Sequence, residues 1–96
     1  MPIDERTAIQ LADVFSALSD PSRLSMISVL LEHEMSVGQI AAAINLSESA
    51  VSHQLRGLRH MHLVRPRKQG RQVFYCLDDD HVAELFQTGL DHVLHG

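Results

Sequence analysis

Between Leu63 and Leu77 the apolar residues stop recurring at helical spacing and begin to alternate. The apolar runs on either side keep a helical period, so the chain is expected to fold as a set of helices interrupted by one pair of strands. Leu63-Val64-Arg65-Pro66-Arg67 and Gln72-Val73-Phe74-Tyr75-Cys76-Leu77 predict two short strands around Lys68-Gln69-Gly70-Arg71, a hairpin with glycine at its turn. Pro66 cannot donate to a ladder, which assigns the first strand to a sheet edge.

The helices before the hairpin are marked by their caps. Asp4 or Glu5 opens a first helix through about Ser19, with Ile9, Leu11, Ala12, Val14, Phe15 and Leu18 as its apolar stripe. Asp20 caps a second, with Pro21 at the first position, where a missing N–H costs nothing; it runs to about Glu32 and is expected to bury Leu24, Ile27, Leu30 and Leu31. Ser36 and Gln39 form a capping box for a third helix, Val37 to about Ile44. Ser47 caps a fourth, Glu48 to about His60.

A turn this tight between the third and fourth helices suits a helix-turn-helix, although an ordinary helical hairpin has the same spacing. Charge separates the two readings. From Ser49 to Leu77 there are six basic residues and no acid, whereas the rest of the chain carries two basic and twelve acidic residues, so a formal net charge of −4 conceals a cationic middle. Such a polarised chain can hold a phosphate backbone on one surface. With Val51, Leu55 and Leu58 turned to the core, Ser49, Ser52, His53, Gln54 and Arg56 are left for the major groove. The basic hairpin that follows, with Arg67, Lys68, Gln69 and Arg71, is placed to lie along the phosphates as a wing. The fold expected is mainly α, a winged helix-turn-helix of five helices and two strands, with 1–96 as one domain.

The last eighteen residues carry a different chemistry. Val82, Leu85, Phe86, Leu90, Val93 and Leu94 recur at helical spacing behind an Asp78 or Asp79 cap, and Asp79, His81, His92 and His95 supply oxygen and nitrogen donors of the kind tetrahedral Zn²⁺ accepts. Eleven residues at about 100° each put His81 and His92 on one face, but about 16 Å apart along the axis. One ion holds nitrogen ligands at about 2.0–2.1 Å and cannot span that gap within a straight helix. His92 and His95, at i and i+3, can share an ion. Two copies of the helix lying antiparallel across a two-fold axis would bring Asp79 and His81 of one level with His92 and His95 of the other, giving two equivalent sites per homodimer. The plainer alternative is a capped dimer helix with solvated histidines.

Ninety-six residues bury limited surface alone, which favours oligomerisation. No apolar run reaches membrane-spanning length, the acidic start is no signal peptide, and the lone Cys76 cannot form an internal disulfide; a cytoplasmic chain is expected. Four protein ligands would close the metal site, leaving no open position for hydrolysis, so neither an enzyme nor a small-molecule substrate is expected.

Leu18-Ser19-Asp20-Pro21-Ser22-Arg23-Leu24, Ser47 through Arg56, Arg67-Lys68-Gln69-Gly70-Arg71 and the terminal donor pattern together resemble the ArsR/SmtB family of metal-sensing bacterial repressors over nearly the whole chain. The likeness is to the zinc-sensing branch, whose site lies on the C-terminal helix. It implies a homodimeric repressor that binds palindromic operator DNA without metal and releases it when Zn²⁺ binds, with Co²⁺ as a substitute. The family's ligand positions fall on Asp79, His81, His92 and His95, and its DNA contacts on Ser49, Ser52, His53 and the Arg67-to-Arg71 wing. In relatives a ligand histidine also bonds toward the recognition helix, which here implies His92 reaching backbone near His62. The cysteine-rich motif that many relatives carry is absent, since the corresponding segment reads His33-Glu34-Met35-Ser36-Val37-Gly38, and this disfavours a thiolate sensor. The remaining alternatives are a repressor of the same fold that senses a non-metal signal, and a winged helix used for protein contacts.

Overall fold

Cap chemistry divides the chain where local rules place the breaks. The computed structural model describes residues 2–96, with helices α1 (Glu5–Ala17), α2 (Pro21–Glu32), α3 (Val37–Ile44), α4 (Glu48–His60) and α5 (Asp80–His95), and strands β1 (Met35–Ser36), β2 (Val64–Gln69) and β3 (Gln72–Leu77). Asp4 accepts from the Thr7 N–H, Asp20 from Arg23, Ser47 from Ala50, and Ser36 with Gln39 closes both bonds of the capping box. Asn45 ends α3 in the left-handed region at φ 57°, a conformation that asparagine tolerates better than most residues.

Three details differ from expectation. The first helix ends at Ala17, not Ser19, and the sheet has three strands where two were expected. The third, β1, pairs antiparallel with β3 through Met35–Tyr75 and Ser36–Phe74, giving the order β1-β3-β2. Two residues are too few to show an alternating pattern, and Ser36 serves as strand and helix cap at once. In addition Lys68 and Gln69 belong to β2, paired with Val73 and Gln72, so the turn is Gly70-Arg71 alone. Gly70 adopts φ 64°, which a two-residue hairpin favours and glycine accepts without strain. Pro66 stands on the edge strand β2.

The core is formed by one face each of α2, α3 and α4 with the base of the hairpin. Met26, Ile27, Ile40, Val51, Leu55, Leu58 and Val64 are almost completely enclosed, and among the described residues no polar side chain is buried with them. Leu24, expected inside, is partly exposed, and Met26 takes the interior position. The outer helices contribute little: no residue of α1 is buried, and Val82 is the one buried residue of α5. Phe15 is 51% exposed and Val93 79%.

A strap ties the wing to the start of the helix-turn-helix. Arg67 on β2 reaches across Phe74 of β3, its guanidinium carbon 5.4 Å from the ring centroid, to Glu34 just before β1. Nε lies 2.9 Å from both carboxylate oxygens and Nη2 also pairs with Oε1, while Nη2 donates to Gln69 Oε1 at 3.0 Å. Bonding to Arg67 pulls the Glu34 carboxyl below its usual range. Its contribution is therefore complete above the ordinary carboxylate range and is lost as pH falls through the lowered folded value.

Two outcomes follow. Leu55→Ala removes a wholly enclosed side chain and should destabilise the fold by about 2–5 kcal/mol in urea denaturation. Glu34→Gln should reduce amide-exchange protection of the hairpin at neutral pH, reproducing what acidification does to the wild type.

Candidate nucleic-acid interface and metal centre

The face of α4 away from the core carries the polar residues. Val51, Leu55 and Leu58 point inward, leaving Ser49, His53 and Arg56 exposed and Ser52 half-buried. Ser49 and Ser52 lie in the first two turns, where a helix entering the major groove makes its base contacts. Short hydroxyls there allow close approach.

Gln54 has a different setting from the solvent-facing one expected. It is half-buried, with Oε1 placed 3.0 Å from Ser22 Oγ on α2, and the same hydroxyl is hydrogen-bonded to Asp20 Oδ2. A hydroxyl has one proton, so with the carboxylate taking it, the amide is satisfied when turned to present its NH₂ to Oγ. Bonding to Ser22 is the leading cause of the lowered Asp20 carboxyl. The chain Asp20–Ser22–Gln54 thus anchors α4 to the N-terminus of α2, and Gln54 acts there as a brace. Sequence spacing carries no signal for a contact across 32 residues.

On the wing, Lys68 and Arg71 are exposed and make no ion pair among the described residues, whereas Arg67 and Gln69 are engaged by the strap. Lys68 and Arg71 at the hairpin tip, with Arg65 lower on β2, are therefore exposed wing cations without an ion-pair partner among the described residues.

The four donors of the C-terminal pattern lie at the two ends of α5. Asp79 is the N-cap: its Oδ1 accepts from the N–H groups of His81 at 2.9 Å and Val82 at 3.3 Å, leaving Oδ2 to face His81 Nδ1 at 3.5 Å. One cap residue thereby presents a carboxylate oxygen and an imidazole side by side, both exposed. His92 and His95 occupy the last turn, also exposed. Among the described residues no three His, Cys, Asp or Glu side chains of one protomer come together to hold an ion, in keeping with the helix arithmetic. The contact expected from His92 toward His62 is not made within the protomer: among the described residues no hydrogen bond joins them. The donor set itself, one carboxylate and three imidazoles, is of the chemical kind that tetrahedral Zn²⁺ accepts.

Between these ends α5 packs on α2, and the end of α1 lies across an apolar groove of about 630 Å³ lined by Phe15, Leu18, Leu24, Leu85, Leu90 and Val93. Among the described residues no helix is long and apolar enough to cross a membrane.

Comparison with known proteins places this geometry. Residues 20–65 match the model of the bacterial regulatory proteins of the arsR family. The transcriptional repressor SmtB homolog of Synechocystis sp. is 50% identical over 93 residues, covering 97% of this chain and 69% of that protein. The HTH-type transcriptional regulator NmtR of Mycobacterium tuberculosis is 42% identical over 94 residues, covering 98% and 78%. The solution structure of apo-NmtR matches with a TM-score of 0.83 over 100% of this chain and 81% of that one, at 41% identity. A homodimeric winged helix-turn-helix DNA-binding domain from Mycobacterium bovis, Mb0332, gives a TM-score of 0.84 at 29% identity, covering 99% and 94%. The chain belongs to the arsR family of bacterial regulatory proteins, DNA-binding transcriptional regulators with a winged helix-turn-helix fold.

Proposed function

We propose that this chain is a zinc-responsive transcriptional repressor, a homodimer that holds a palindromic operator as the apo protein and releases it when Zn²⁺ is bound between the terminal helices. The observation that carries the reading is the placement of two adjacent donor pairs at opposite ends of one helix whose apolar side is uncovered. A second copy related by a two-fold axis covers the groove of α1 and α5 with its own, and an antiparallel crossing of the two α5 helices sets Asp79 and His81 of one protomer against His92 and His95 of the partner subunit. The relatives named as an SmtB homolog repressor and a cadmium-resistance CadC homolog, the latter 38% identical, support a metal effector.

Recognition on this reading divides by residue. Ser49, Ser52 and His53 enter the groove, with Arg56 at its rim, and Lys68 and Arg71 follow the backbone with Gly70 allowing the hairpin tip to approach. The two α4 helices of a dimer must stand about 34 Å apart to enter successive major grooves. Asp79 and His81 of one protomer with His92 and His95 of the partner subunit would hold Zn²⁺, which would supply a tie between chains. Each end of the crossing is fixed by Asp79 and His81 of one protomer together with His92 and His95 of the partner subunit, and the angle so fixed sets the separation of the α4 helices. A crossing that suits the metal and not the DNA shifts the population away from the operator-bound form, and linkage requires operator DNA to weaken zinc by the same factor.

Fluorescence anisotropy on an inverted-repeat operator selected by the apo protein tests this. One Zn²⁺ per chain should lower wild-type affinity by about 5–150-fold, the range of a 1–3 kcal/mol coupling. His81→Ala should bind the operator as the apo wild type does and lose the response; an unchanged wild-type affinity with zinc would leave α5 a dimer helix only.

A further inference from the structure

Helix α4 presents a cationic face that runs beyond the groove-reading residues. His53, Arg56, Gly57 and His60 stand at i, i+3, i+4 and i+7 and so share one side of the helix. The first turn of α2 brings Arg23 against them, and these five, with Gln54, line a surface groove that no carboxylate enters. Among the described residues neither Arg23 nor Arg56 is in an ion pair. Asp20, near Arg23, spends its carboxylate on the Ser22 hydroxyl and the Arg23 backbone N–H. Arg23 Nη1 donates to Ala17 O at 3.1 Å, while its Nε is buried with no acceptor among the described residues. The guanidinium is thus one partner short, in a chain whose net charge is negative.

Gly57 adds an independent observation. Glycine inside a helix is less stable than alanine, and a Cβ at this position would meet no atom within 4 Å, so packing does not call for it. What glycine does here is leave the floor of the groove bare between Arg56 and His60, where an incoming group can come close to the helix backbone.

We infer that this groove seats one backbone phosphodiester of the operator, held by Arg23, Arg56 and His60 over Gly57. The inference rests on the DNA-binding reading above and extends it to Arg23, Gly57 and His60, which lie outside the groove-reading set. A duplex is favoured over a free phosphate because His53 and Arg56 belong both to this groove and to the exposed face of α4 that bears Ser49. The phosphates flank the major groove that such a face enters.

The test is operator anisotropy across a salt series, with thermal melts of each variant. Gly57→Leu should melt at or above the wild-type temperature yet bind at least tenfold more weakly, with a log affinity against log salt slope shallower by about one. Being a backbone contact, the loss should be uniform across operator variants. His60→Glu should lose at least tenfold more affinity than His33→Glu, which makes the same charge change at the far end of α2, and it carries the test if Gly57→Leu fails to fold. Wild-type affinity and slope in both variants would overturn the inference while leaving the DNA-binding reading intact. So would inorganic phosphate shifting the His60 ring signals in NMR while Gly57→Leu leaves operator binding unchanged, since the groove would then serve a free phosphate. A wild type that binds no duplex would overturn both readings.

Discussion

The rest of the structure depends on a single apolar core shared by α2, α3 and α4, in which Met26, Ile27, Ile40, Val51, Leu55 and Leu58 are almost wholly enclosed with no polar side chain among them. That packing fixes the angle between the two helices of the DNA-reading motif, and the Asp20–Ser22–Gln54 contacts repeat the constraint on the outer side of α4. Satisfying this core leaves the first and last helices without burial of their own. Phe15 and Leu24 on one side and Leu85 and Val93 on the other form a groove that none of the described residues fills. The same division that makes the reading head rigid leaves the outer helices to be set by association, which is what a regulator needs if an effector is to move one part relative to another.

Charge follows the same division. The acid-free segment from Ser49 to Leu77 spans nearly all of the recognition helix and the wing, and all twelve acids lie outside it. Folding then refines the pattern. Arg67 is withdrawn from the cationic surface by Glu34, a carboxylate outside that segment, and becomes the tie between wing and helix-turn-helix. Arg23, from the acidic flank, joins the cationic face of α4. Formal charge along the chain therefore locates the surface, while tertiary contacts decide which cations are free to act.

The helices were legible because each carries its boundary in a few adjacent residues. Asp20-Pro21, the Ser36/Gln39 box and Ser47 each predict a start that the structure keeps, and α2 through α4 end where their apolar periods do. The hairpin was legible from alternation and Gly70, but β1 was not, since two residues show no period and owe their pairing to β3, some forty positions away. Leu24 and Met26 exchanged places because a helix buried on one side and half-covered on another does not reveal which stripe is inner. For the candidate site, His81 and His92 could be placed on one helix face, and the four donors apportioned between the two ends of the helix, by arithmetic alone. What could not be read was the attachment of Gln54 to Ser22 and of Arg67 to Glu34, because both depend on residues more than thirty positions distant. Membership of the arsR family, as a regulator and not an enzyme, agrees with what those legible elements implied.

On the proposed arrangement each metal site is built from both chains, and mixed dimers distinguish this from a site within one chain. One chain would carry Asp79→Ala and His81→Ala, the other His92→Ala and His95→Ala, and each would be titrated with Zn²⁺ alone and after co-folding. Shared sites require that neither homodimer binds zinc tightly, while the mixed dimer regains one site, formed by the intact ends of the two α5 helices. A mixed dimer that binds no better than its parents would mean that the two ends of α5 do not share an ion across the interface.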